Sequence, residues 1–327
     1  AGRREMKIAV VIPCWNVKRH ILSVIEKIGP EVDSIFVVDD ACPEGTGDWV
    51  LGECTDPRVR VLRHEQNQGV GAAVMTGYRQ AAADGCEIAV KIDGDGQMDP
   101  RLISRFVEPI LQSRADYTTG NRFYRLESLV LMPRLRLFGN ACLSFLAKMS
   151  CGYWNLMDPT NGYTALHMAV LRELPLEKIE KRYFFETDML FRLNIIRAVV
   201  KNIPMAAHYG EEVSGLKVTR ALPEFAFKHF RCMIRRYVYN YWLRDVNVGT
   251  LYSFFGALLT VFGVGVGVIS WLQNVSEGTL ASSGTVMLAA LPTLIGIQFL
   301  IAFIHHDIAS VPQEPLHPQL PPVHASP

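Results

Sequence analysis

The stretch EIAVKIDGDGQMDP, residues 87–100, decides the fold. An apolar run of strand length, Ile88 to Ile92, stops abruptly at Asp93, Asp95 and Asp99. Carboxylates this close repel one another, so the segment is either a solvated turn or a seat for something positive. Working outward, KIAVVIP (7–13), SIFVVDD (34–40) and VRVLRH (59–64) are further apolar runs, separated by helical periodicity at Lys18–Ile28 and Val70–Ala83. Such alternation predicts an α/β fold, a Rossmann-like mostly parallel sheet with helices on both faces. Ligands of these sheets bind beyond the carboxyl ends of the strands. The polar residues at those ends are Asn16, Asp39, Asp40, Asp93 and Asp95.

The simplest neutraliser for this acidic rim is a hard divalent cation, Mg²⁺ or Mn²⁺, which prefers oxygen ligands and keeps positions for phosphate oxygens. Asp93, Asp95 and Gln97 alternate along an extended segment and offer two carboxylates and an amide oxygen to one ion. An isolated D-x-D is more often a surface turn; the second acidic pair, also behind a buried run, favours metal. Asp39 then suits hydrogen bonding to a nucleotide base or ribose. A dinucleotide fingerprint at Gly69-Val70-Gly71 competes weakly, because Val74 occupies its third small-residue position and Asp93 belongs to a cluster.

The 327 residues are 49% hydrophobic with a net charge of +1, enough to bury a core without a disulfide framework. Every Lys and Arg lies at or before Arg244, which gives little support to nucleic-acid binding. Seven scattered cysteines without a C-x-x-C pair favour reduced thiols and a cytosolic setting, and no signal peptide is expected at the N-terminus. Beyond Arg244 the character changes. Val246–Ser276 and Gly278–Ile304 carry no charge, and each exceeds the ~20 residues that span a hydrocarbon core. Two transmembrane helices are expected near 250–271 and 285–304, forming a hairpin over 249–306. Lys217, Arg220, Lys228, Arg231, Arg235, Arg236 and Arg244 precede it, which orients the large domain toward the cytoplasm. Residues 223–245 mix aromatic and basic residues like a helix in the headgroup layer, with a soluble helix packed on the main domain as the alternative. Gly263 and Gly267 form a G-x-x-x-G, within the hairpin or between copies, so a homo-oligomer stays open. The expected organisation is a catalytic domain (1–217), an amphipathic juxtamembrane region (218–248), the hairpin and a disordered proline-rich tail (307–327).

Several segments, taken in order, resemble the inverting glycosyltransferases of family 2, of GT-A fold. VVIPCWN (10–16) resembles that family's first strand and donor loop, VVDDACPEGT (37–46) its VVDDGSxDGT, NQGVGAA (67–73) its N-x-G-x-G-x-A, and KIDGDGQMDP (91–100) its metal segment. TGNRF (119–123), DPTNGYTAL (158–166), YFFETDML (183–190) and, more loosely, YGEEVSGLKV (209–218) continue the likeness. With the terminal hairpin, the likeness is to the branch containing dolichol-phosphate mannose synthase and bacterial polyprenyl-phosphate glycosyltransferases. Val17, Cys42, Glu44 and Val70 depart from the pattern, which bears on the donor base and sugar rather than the fold. The Q-x-x-R-W of processive polysaccharide synthases does not occur.

The resemblance implies transfer of a hexose from a GDP- or UDP-sugar donor to a polyprenyl or dolichyl phosphate at the membrane. It implies donor binding by Pro13, Asn16, Asp39, Asp40, Asn67, Gly71 and Asp93, and metal binding by Asp93, Asp95 and Gln97. Arg122, Arg134 and Lys217 are the implied acceptor-phosphate cations; Asp95, Asp158, Arg122 and Glu186 are the implied catalytic set. Asp158 would orient acceptor or sugar, or act as base toward a hydroxyl. Glu186 and Asp188 also fit a helix start, where carboxylates complement the dipole. Transfer to a glycolipid or saccharide hydroxyl, and a non-catalytic nucleotide-sugar-binding scaffold, are the alternatives.

Overall fold

A computed structural model describes residues 6–124, 134–206 and 218–321. The sheet grows from β1 (Ile8–Cys14), whose seven residues are all buried. Residues alternate between faces along a strand. Val10, Ile12 and Cys14 therefore join one core with Ile21, Val24 and Ile25 of α1 (Ile21–Glu26) and Phe106, Val107 and Ile110 of α4 (Ile103–Leu111). Val11 points the other way, toward α3 (Val70–Ala83): a Cβ added at Gly77 would lie 2.3 Å from Val11 Cγ1, so glycine sets how closely that helix approaches. Helices thus cover both faces, as the strand–helix alternation predicts.

Around β1 run β2 (Ser34–Asp39), followed by α2 (Thr46–Glu53), then β3 (Val59–Arg63), β4 (Ile88–Lys91), β5 (Tyr117–Asn121), β6 (Thr164–His167) and β7 (Val200–Pro204). The seven strands lie in the order β3-β2-β1-β4-β6-β5-β7. All pairs are parallel except those of β6, which runs antiparallel to β4 and β5. Two consequences position the site. Cys14 pairs with Asp39, so β1 and β2 end together, and the Ile92 N–H donates to the Val11 carbonyl, so β4 ends beside them. Because Lys91 pairs with Thr164 antiparallel, the chain entering β6 passes Asp93 as the chain leaving β4 reaches it. Between β5 and β6 stands α5 (Arg134–Cys151); α6 (Met168–Arg172) and α7 (Phe185–Ile195) precede β7.

The chain divides into two units, residues 1–234 with 312–327, and residues 235–311. The division falls later than the expected boundary at 217, because the next helix, α8 (Val218–Val238), belongs to the first unit as far as Ile234. Phe225 and His229 meet Phe184, the His229 Nδ1 lies 2.8 Å from Ser150 Oγ, and Lys228 pairs with Glu180. Its other face leaves Phe227, Phe230 and Ile234 exposed.

The tail also differs from expectation. Residues 312–321 do not stand apart from the fold: the backbone N–H groups of Leu316 and His317 donate to the Asp116 carboxylate at 2.8 Å. The His317 Nδ1 lies 2.8 Å from the same carboxylate, and its ring stacks on His167 with centroids 4.3 Å apart. Asp116 also accepts the Val199 N–H. Prolines leave few N–H groups to satisfy, and a buried carboxylate takes two of those that remain. Composition alone cannot register such a partner.

In the second unit, α9 (Val248–Glu277) and α10 (Ser283–Ala309) each contain an 18-residue stretch of mean hydropathy 2.0 and 2.2, respectively, and extend the expected spans at both ends. Small residues set their contact: a Cβ at Gly263 would lie 2.6 Å from the Ala289 carbonyl, and one at Gly296 2.6 Å from Thr260 N. The G-x-x-x-G therefore works within the hairpin through Gly263, with Gly267 only in ordinary contact distance of Ala289. Arg236 forms a two-pronged ion pair with Asp307, at 2.6 and 2.9 Å, and the Tyr241 hydroxyl donates to the same carboxylate.

Candidate active site

The ends of β1, β2 and β4 enclose a cavity of about 390 Å³ lined by Pro13, Trp15, Asp40, Asn67, Asp93 and Asp95, among others. The loops around it are held by backbone N–H groups that donate to carboxylates. Asp39 accepts the Cys42 N–H on one oxygen and the Gly47 N–H on the other, both at 2.7 Å, which pins its own loop. Within that loop Ala41 is held left-handed, at φ 56°, a strain of roughly 1–3 kcal/mol that the surrounding bonds must sustain. Asn16, also left-handed, donates its N–H to Cys42 Sγ at 3.2 Å. Asp40 accepts the N–H groups of Gln68 and Gly69 and contacts His64 Nδ1 at 2.7 Å, fastening the loop after β3 to the end of β2. Asp39 and Asp40, expected to face the donor, thus first hold the loops that shape its cavity. Gly71 is one step removed: its N–H donates to the Lys181 carbonyl at 2.9 Å, and a Cβ would lie 2.3 Å from the Glu180 carbonyl.

The acidic segment is arranged around a buried cation. Lys91 is 1% exposed, and its Nζ lies 2.9 Å from Asp93 Oδ1 and 3.2 Å from Glu186 Oε1. Burial pulls an ammonium down, but Asp93 and Glu186 outweigh it and hold Lys91 above the ordinary lysine range. Opposite stands Gly162, where a Cβ would come within 2.6 Å of Lys91 Nζ and 2.7 Å of Asp93 Oδ2. Only a residue without a side chain admits this triangle. Asp95 accepts the Gln97 N–H at 3.0 Å, while Asp99 turns away to cap the next turn and pair with Arg101. The neighbouring thiol is quiet: burial, with Asp39, Cys42 and Asp93 adding to it, pushes Cys14 well above the ordinary range. All seven cysteines are free, as their spacing implies.

A second cluster adjoins through the same loop. Arg122 grips Asp158 with two prongs, Nε to Oδ2 at 2.7 Å and Nη2 to Oδ1 at 3.0 Å. Asp158 is 1% exposed and also accepts from Asn161 Nδ2, next to Gly162. A carboxylate bound this way orients a guanidinium rather than serving as a free base. Glu186 opens α7 and is turned to Lys91, whereas Asp188 accepts the Glu180 N–H and pairs with Arg192, a structural role. Arg134 is the first residue of α5, and Lys217 lies outside the described residues. Sequence reading missed Lys91, Gly162, Trp15, Arg182 and Tyr183. The signal for Lys91 was a lone cation ending an otherwise apolar strand.

A divalent metal would have two carboxylates here, Asp93 and Asp95, with Gln97 beside them. Among the described residues no three His, Cys, Asp or Glu side chains assemble into a metal cage. The donor set still fits Mg²⁺ or Mn²⁺, since such ions are commonly held by one or two carboxylates with water and ligand phosphates completing the shell.

A Rossmann-like sheet with one antiparallel strand inserted, and an acidic cavity at its parallel strand ends, defines a glycosyltransferase domain of GT-A fold. The chain belongs to glycosyl transferase family 2, whose pattern it matches over residues 9–175. It is 32% identical over 205 residues to an undecaprenyl-phosphate mannosyltransferase of Micrococcus luteus, covering 61% of this chain and 83% of that one. It is 29% identical over 215 residues to a UDP-N-acetylglucosamine–dolichyl-phosphate N-acetylglucosaminyltransferase of Methanococcus voltae, covering 60% and 85%. In fold it is similar to glucosyl-3-phosphoglycerate synthase of Mycobacterium tuberculosis, solved with Mn²⁺, UDP-glucose and phosphoglyceric acid (TM-score 0.52, 20% identity, 71% and 79% covered).

Proposed function

We propose that this protein is a membrane-bound inverting glycosyltransferase that moves a hexose from a UDP- or GDP-sugar to a polyprenyl or dolichyl phosphate. The observation that carries the reading is the cavity at the strand ends, with Asp93 and Asp95 in its lining, in a chain that also bears two long apolar helices. The relatives from M. luteus and M. voltae, both named for lipid-phosphate acceptors, support the acceptor class.

Asp93, Asp95 and Gln97 would hold Mg²⁺ or Mn²⁺, consistent with the Mn²⁺ that accompanies UDP-glucose in the M. tuberculosis relative. When bound, the ion supplies Lewis-acid stabilisation of the departing diphosphate. Lys91 fixes Asp93 so that the carboxylate is presented at one angle, and Gly162 leaves room for it. Asp158 holds Arg122, whose side chain is 37% exposed and would meet an incoming phosphate. The acceptor oxygen is already anionic near neutral pH, so a strong base is not needed. Attack opposite the leaving group inverts the anomeric centre. The cations before the hairpin favour a cytoplasm-facing domain, where nucleotide sugars are made.

The test is incubation of membranes containing the protein with labelled nucleotide sugars and polyprenyl phosphate. A lipid product labile to mild acid is expected; label only in a preassembled glycan would move the acceptor to a hydroxyl. Removing divalent metal with a chelator, and separately Asp95→Ala, should each abolish turnover without a change in melting temperature. Full activity in either case contradicts the metal role.

A further inference from the structure

The charges lining the cavity are unevenly committed. Asp40 is occupied by Gln68, Gly69 and His64, and Asp93 by Lys91. Among the described residues Arg182 is the only basic one in the lining, and its guanidinium makes no ion pair or hydrogen bond with any of them. Hydrogen bonds to the backbone of its segment put it there. The Gly71 and Ala72 N–H groups both donate to the Lys181 carbonyl, at 2.9 and 3.3 Å, and the Glu180 N–H donates to Asp188 at 2.9 Å. Gly69, at φ 98°, completes the seat, because a Cβ there would lie 2.4 Å from the Lys181 carbonyl and 2.9 Å from Arg182 Cγ. The arginine stem lies where any other residue at position 69 would place its side chain.

We infer that Arg182 binds the donor's diphosphate, an inference that rests on the nucleotide-sugar reading above. An exposed guanidinium with no partner among the described residues, in a cavity shared with Asn67, Asp93 and Asp95, is matched to a dianionic phosphate pair. As the bond between the anomeric carbon and the diphosphate oxygen breaks, its electron pair leaves with the diphosphate. The acceptor oxygen forms the new bond, and the fork of Arg182 meets the charge that develops on the leaving group. Arg122, gripped by Asp158, is left for the acceptor phosphate.

Titration calorimetry of the full-length chain with UDP and with GDP, Mg²⁺ present, first identifies the nucleotide that binds. Arg182→Gln should weaken that nucleoside diphosphate about 10- to 100-fold and the matching nucleoside less than about twofold, with Arg182→Lys between. The side chain is exposed, so both variants should keep the wild-type melting temperature. Wild-type diphosphate affinity in Arg182→Gln overturns the assignment. So does a KM increase confined to polyprenyl phosphate, which would put the guanidinium on the acceptor. If the wild-type chain binds neither UDP nor GDP, the nucleotide-sugar reading falls first and this inference falls with it.

Discussion

Lys91 and Gly162 make the acidic segment usable. A buried ammonium between Asp93 and Glu186 converts repulsion into a fixed geometry, and the missing Cβ at Gly162 is what allows the three groups to meet. Gly162→Ala should therefore push Lys91 and Asp93 apart. We expect a stability loss of roughly 1–3 kcal/mol by overpacking, read from thermal unfolding, and at least a tenfold fall in sugar transfer. Unchanged transfer would show that the triangle is not needed. Much of this cavity is legible in the sequence: Pro13, Asp40, Asn67, Asp93 and Asp95 all line it, because residues that follow parallel strands must converge at one rim. What each carboxylate does is not legible. Whether Asp39 and Asp158 face a ligand or fasten a loop depends on partners at 42, 47 and 122, and no spacing rule connects those positions.

The elements that sequence reading misjudged are those whose stability comes from distant polar groups. Strand–helix alternation reveals β1 to β4, since each apolar run carries its own signal. The return of the tail to β5 carries none, because Asp116 is about two hundred positions away from Leu316 and His317. The same contacts predict a pH response. His167, facing His317 and Asp116, is lowered to about 4 by burial and by His317; His229, facing Ser150 and Phe184, is lowered to about 4 by burial. Both depressed histidines are neutral in the fold and take up protons more readily when unfolded. Their contribution is complete above pH ~6.5 and is lost as pH falls toward 4. Asp116 acts in the same sense lower down: burial raises it, but His317 and the backbone donors outweigh that and hold it below the ordinary carboxylate range. Chemical denaturation between pH 7 and 4 should show stability falling by a few kcal/mol, with His167→Gln flattening part of the slope. A flat profile in the wild-type chain would contradict this.

The chain leaves its catalytic unit after Ile234, builds the hairpin, and rejoins that unit at Pro312. The enzyme domain is thus not a continuous piece of sequence. A fragment cut ahead of the apolar helices would lack the segment that fills the seat beside β5. Asp116, 0% exposed in the intact protein, would be left to the solvent. We expect such a fragment to melt several degrees early, by roughly 1–3 kcal/mol since water replaces some of the lost donors. Adding a synthetic peptide of residues 312–321 should restore the difference, and a peptide with His317→Ala should not. For anyone engineering this enzyme, the far C-terminus is a working part to be grafted back rather than trimmed away.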